Sequence, residues 1–68
     1  MGESILNQYL KNYRLSNNLS QQEMSKKLKT SQTYYSQIET GAKKPGIQFV
    51  NRLAKVLKVE PSVIRSML

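Results

Sequence analysis

The stretch that most constrains this chain runs from Ser20 to Gly41, SQQEMSKKLKTSQTYYSQIETG. Its spacing predicts two short helices joined by a tight turn. Ser20 can accept from the Glu23 N–H while the Glu23 carboxylate reaches back to the Ser20 N–H, the reciprocal arrangement of a capping box. Met24 and Leu28 then repeat at i, i+4, which puts them on one face of a helix. The pattern stalls at Lys29-Thr30, and Ser31 supplies a second N-cap. Tyr35 and Ile38 follow three apart. Gly41 stands where a helix C-cap takes a positive φ. The remaining face of the second helix carries Gln32, Thr33, Ser36 and Gln37, all uncharged and all able both to donate and to accept hydrogen bonds.

Two amphipathic helices separated by about three residues are a helix-turn-helix signal, and an uncharged, hydrogen-bonding helix face suits the floor of the DNA major groove. The same two helices would also fit an ordinary small helical bundle with a polar outer face, and charge is what separates the readings. Eleven Lys and Arg stand against four acids, a net charge of +7. Such an excess points to a polyanionic partner. The absence of Cys and His removes thiol and imidazole catalysis and the Cys/His metal sites. The acids, Glu3, Glu23, Glu39 and Glu60, are scattered. An enzyme, a metal site and a cofactor are therefore not expected. No apolar run approaches the ~20 residues of a membrane span. The N-terminus lacks the apolar core of a signal peptide, and Leu6 stands where a myristoylation signal needs Ser or Thr. The expectation is one soluble cytoplasmic domain over residues 1–68, with no second domain to bind an effector.

Taken in order, the chain predicts five short helices and no strand. The first spans about Ile5 to Asn17, with Ser4 as N-cap and Leu6, Leu10 and Tyr13 as its stripe, Tyr9 and Lys11 lying off it. Arg14 borders the buried side. Leu19 plugs the corner before Ser20. The second helix covers about Gln21–Leu28 and the third Gln32–Thr40. Lys43 and Lys44 fall in a loop fixed by Pro45. The fourth, Ile47 to Leu57, presents Val50, Leu53, Ala54 and Leu57. Pro61 opens a fifth helix that runs to the chain end. One short helix cannot bury all its apolar residues. With Ile64 in the core, Pro61, Val63, Met67 and Leu68 are left as an exposed apolar patch, the mark of an interface.

From about Leu6 to Ile64 the chain resembles the phage-repressor and Cro-like (Xre-type) helix-turn-helix family. The resemblance rests on LSQQEMSKKL in the second helix, QIETG at the end of the third, KKP in the loop and LAKVLKV in the fourth. IQFVNRLAKVLKV is especially similar to the biofilm and sporulation repressors of that family. It implies an all-α, compact five-helix bundle with a central helix-turn-helix, the lambda-repressor-like fold, in a bacterial or phage-encoded transcription regulator that binds double-stranded DNA as a homodimer. Residue by residue, Gln32, Thr33, Ser36 and Gln37 would face the bases. Gln21, through side chain and backbone, would meet a phosphate, and Tyr34, Lys43 and Lys44 would touch the sugar-phosphate backbone. Arg14 and Glu39 match a buried ion pair. The C-terminal patch would form the dimer interface.

Three positions depart from the family pattern. Ser25 replaces an Ala at a close helix contact and is small enough to fit. Lys29 replaces the Gly of the turn, at a cost of about 1 kcal/mol if its backbone is left-handed. Tyr35 replaces a buried Ile or Val, so either the motif helices spread or the hydroxyl reaches the surface. Two other functions stay in view. An antitoxin or other protein-interaction module could use the same fold, with a protein antagonist as partner. An RNA or membrane-surface binder is disfavoured, because the aromatics form no stacking platform and the cations do not line one face of an amphipathic helix.

Overall fold

The computed structural model describes residues 5–68, so the Ser4 cap lies outside it. Five helices follow in order: α1 Ile5–Ser16, α2 Gln21–Lys27, α3 Gln32–Thr40, α4 Ile47–Leu57 and α5 Pro61–Ser66. Their starts follow the caps. Ser20 Oγ accepts from the Glu23 N–H at 3.0 Å and the Glu23 carboxylate accepts from the Ser20 N–H at 2.8 Å, completing the capping box. Ser31 Oγ accepts from the Tyr34 N–H. Gly41 ends α3 at φ 86°.

Three non-glycine residues share the left-handed conformation: Asn18, Lys29 and Lys58. Asn tolerates it. Lys29 takes it in the turn between α2 and α3, as its replacement of Gly implies. Lys58 closes α4 the same way, with its N–H bonded to the Ala54 carbonyl.

The core gathers the predicted stripes. Leu6 and Leu10 of α1, Met24 of α2, Leu28 at its end, Tyr35 and Ile38 of α3, Val50, Leu53, Ala54 and Leu57 of α4, and Ile64 of α5 are buried together. Helix α1 packs on α3, α2 on α3 and α4 on α5. Besides Ser25 and Glu39, whose burial the sequence implied, two buried residues of the described chain fall outside the predicted stripes. Phe49 joins the core from a second line on α4, with Leu53 and Val56 at i+4 and i+7. Asn7 lies one position off the α1 stripe and donates its side-chain amide to the Ile38 carbonyl. Tyr9, placed off the stripe from sequence, packs half-buried against the core. Ser25 fits its close contact, buried, with its hydroxyl donating to the Gln22 carbonyl at 2.7 Å.

Tyr35 corrects the expectation that its hydroxyl reaches the surface. It is fully buried, so its hydroxyl does not reach the surface. It donates to Glu39 Oε2 at 2.6 Å, one turn further along α3. A buried phenol needs an acceptor, and Glu39 is already on hand.

The C-terminal end also differs from expectation. Helix α5 stops at Ser66, with Met67 as its cap. Met67 packs half-buried against the core, and its carbonyl accepts from the Leu6 N–H at 3.2 Å. That bond satisfies a donor in the first turn of α1, which no intrahelical partner can reach. Of the four residues expected in an exposed patch, Val63 and Leu68 are exposed, while Pro61 and Met67 are half-buried. The same bond brings exposed Ile5 beside the chain end.

Candidate nucleic-acid interface

The four uncharged polar residues of α3 come together. Gln32, Thr33, Ser36 and Gln37 line one shallow groove, with Gln21 at its edge. Gln32 and Thr33 are exposed, Ser36 and Gln37 half-exposed. The two short elements are set by their serine caps, and the buried Tyr35 and Ile38 turn this face outward. At about 100° per residue, Gln32 and Gln37 stand about 140° apart around the helix axis. They address different points along a groove, with Ser36 between them.

The flanks follow from the loop. The Lys43 N–H donates to the Gln37 carbonyl at 3.1 Å, folding the segment after Gly41 back onto the end of α3. Lys43 and Lys44 are exposed there. Tyr34 sits edge-on to Phe49, ring centroids 5.2 Å apart, and its hydroxyl accepts from the Gly46 N–H at 3.4 Å. Packing and surface roles therefore coexist at Tyr34. The ring braces α3 against α4, and the hydroxyl proton stays available for an acceptor outside the protein.

Beneath the motif lies the ion pair. Arg14 Nε donates to Glu39 Oε2 at 2.9 Å and Nη2 to Oε1 at 3.1 Å, a two-pronged contact. Nη1 donates to the Leu19 carbonyl. Gln21 Nε2 also donates to Glu39 Oε1, at 3.1 Å. Burial disfavours the Glu39 carboxylate, but donation from Arg14, Tyr35 and Gln21, together with the Arg14 charge, outweighs it and holds Glu39 below the usual carboxylate range. The hydrogen bond to Glu39, with the Glu39 charge, raises Arg14 further against the opposing effect of burial. For Tyr35, burial first and then the bond to Glu39 push the phenol well above its ordinary value. Gln21 is thus tied to the interior through its side-chain amide and also lines the groove. The Gln21 bond joins two different helices and has no local signal in the sequence, whereas Tyr35 and Glu39 stand i, i+4 on one face of α3, a spacing that the sequence does carry. Asn7 had one available signal: it precedes Arg14 by two turns, and both face α3.

A protein-family model described as helix-turn-helix matches residues 10–64, most of the chain and all of the motif. The chain belongs to the Xre-type helix-turn-helix family. It is a DNA-binding helix-turn-helix regulator. No curated protein and no solved structure matches it. Among the described residues, no helix is long and apolar enough to cross a membrane.

Proposed function

We propose that this regulator is a repressor that reads a pseudo-palindromic operator as a homodimer, each subunit placing α3 in a major groove. The observation that carries the reading is the single groove formed by Gln32, Thr33, Ser36 and Gln37. It is uncharged, as a face that meets the donors and acceptors of base edges can be, and the loop that carries Lys43 and Lys44 for the phosphates is tied to its Gln37 through the Lys43 N–H. Gln32 and Gln37 suit the N6 and N7 edge of adenine, and the Thr33 methyl suits the thymine methyl. Gln21, Tyr34, Lys43 and Lys44 hold the sugar-phosphate backbone and fix the register without reading sequence.

Val63 and Leu68, with Pro61 and the outer side of Met67, form the dimer contact. Two such subunits would present their recognition helices about 34 Å apart, one turn of duplex. Repression follows most simply from occupancy of the operator. The protein binds rather than catalyses, and its control comes through concentration or a protein antagonist. Selection of bound sites from random duplex DNA, followed by footprinting, tests the proposal. Enrichment of a symmetric motif with half-sites one turn apart is expected, and failure to enrich any sequence would contradict it.

A further inference from the structure

Away from the α3 face, four cations flank a second groove. Lys27 ends α2 and Lys29 lies in the turn after it, while Arg52 and Lys55 come from the middle of α4, with half-buried Val56 between the two sides. All four cations are exposed. Among the described residues no acidic one lines the groove: Glu23 is engaged by the Ser20 N–H, Glu39 by Arg14, and Glu60 is the N-cap residue of α5. The positive charge is therefore left uncompensated within the groove. Arg52 Nη1 donates to the Lys29 carbonyl at 3.1 Å, so one guanidinium is held across the groove before anything binds. A pre-set donor fork loses less side-chain freedom on meeting a carboxylate.

A duplex seated on α3 does not follow this groove. Gln21 and Lys27 stand at opposite ends of α2, about 9 Å apart at ~1.5 Å per residue. Along α4, Ile47 borders the hollow beside Tyr34. Lys55 lies eight residues further on, about 12 Å along the axis. Lys27 and Lys55 thus recede from the surface that the docked α3 turns to DNA, while Arg52, which also lines the hollow beside Tyr34, stands at the near end of the groove.

We propose that this groove docks a carboxylate-rich helical segment of a protein partner, leaving α3 free to hold DNA at the same time. Arg52 and Lys55 are three apart on one helix face, a spacing that meets glutamates three or four apart on a facing helix. An apolar residue between those glutamates would cover Val56. Such charge pairs mainly select the partner and steer its approach. The placement relative to DNA rests on the docking proposed above; the groove itself does not.

The test uses the full chain and a defined probe: a synthetic helical peptide of about 14 residues, four turns, with glutamates spaced i, i+4 on one face and leucines beside them. Its control carries glutamine for each glutamate. Amide shift mapping should place the acidic peptide at Lys27–Lys29 and Arg52–Val56, with or without the selected operator duplex present. The double variant Lys27→Gln, Lys55→Gln should weaken the peptide roughly ten-fold and leave operator affinity nearly unchanged. Equal binding of the control peptide, no binding of either, or shifts centred on Lys43 and Lys44 would overturn the proposal. So would a loss of affinity by the double variant for every duplex alike, which would make the groove a track for DNA phosphates. Gln32→Ala, measured beside it on the operator, tells failure of the α3 docking apart from failure of the groove.

Discussion

Glu39 carries more of this fold than any other polar residue. Its two oxygens accept from Arg14, Tyr35 and Gln21, joining α1, α2 and α3 through one carboxylate. Removing Arg14 leaves a buried anion with two neutral donors. Arg14→Ala is therefore expected to destabilise by about 3 kcal/mol, within the range for breaking a buried pair. A loss below about 0.5 kcal/mol in chemical denaturation would place the pair among ordinary surface contacts. The cluster also sets a pH window. Glu39 titrates lower folded than its ordinary 4.5, so its contribution is full above that value and is lost as pH falls through the folded pKa. Tyr35 titrates higher folded than its ordinary 10.0, so its contribution is full below that value and is lost as pH rises beyond it. Stability should plateau between these limits. Tyr35→Phe should lower the plateau by about 2 kcal/mol, typical of a hydrogen bond to a charged group, and should flatten the alkaline limb. An alkaline limb identical in both proteins would remove Tyr35 as its cause.

The elements were legible where a local rule sets them. Ser20 with Glu23, Ser31, Gly41 and Pro61 marked helix ends within a few residues of themselves, and the periodic Leu, Val and Ile residues marked the inner faces. Asn7 was not legible, because its burial depends on a partner elsewhere in space, the Ile38 carbonyl. Phe49, on an i, i+4, i+7 line with Leu53 and Val56, and the Tyr35 hydroxyl, four residues before Glu39, had local signals. At the end of α5 the last two residues close in tight turns, the Met67 N–H on the Ile64 carbonyl and the Leu68 N–H on the Arg65 carbonyl, within two residues of the expected helix end. The groove of Gln32, Thr33, Ser36 and Gln37 was legible because residues on one outward face of one helix need no tertiary information to be grouped. Lys29 illustrates a local conflict that the fold overrides. A left-handed lysine is strained relative to glycine, so Lys29→Gly should stabilise the turn by about 0.5–1 kcal/mol, the gain being trimmed by glycine's greater freedom when unfolded. Its carbonyl keeps the Arg52 bond. A variant less stable than the parent would mean that the lysine side chain holds the turn.

At the scale of the whole molecule, the longest dimension is 28 Å, short of the ~34 Å between successive major grooves on one side of a duplex. One copy addresses one groove, and a twofold operator needs two. Val63→Asp places a carboxylate in the apolar contact without touching the core and should weaken association and operator binding together. Unchanged sedimentation would move the dimer contact elsewhere. If each subunit neutralises about four phosphates, log K should fall against log salt with a slope near −7. The central claim, that α3 reads bases while its flanks hold phosphates, is tested most directly by base-by-base operator substitution against Gln32→Ala, Gln37→Ala and Lys44→Ala. Each glutamine variant should lose about 1–3 kcal/mol on the true operator, concentrated at one adenine per half-site, with non-specific binding and the salt slope unchanged. Lys44→Ala should weaken all sequences alike and make the slope shallower. Uniform loss across all DNA by the glutamine variants would contradict the assignment of α3 as the reading helix.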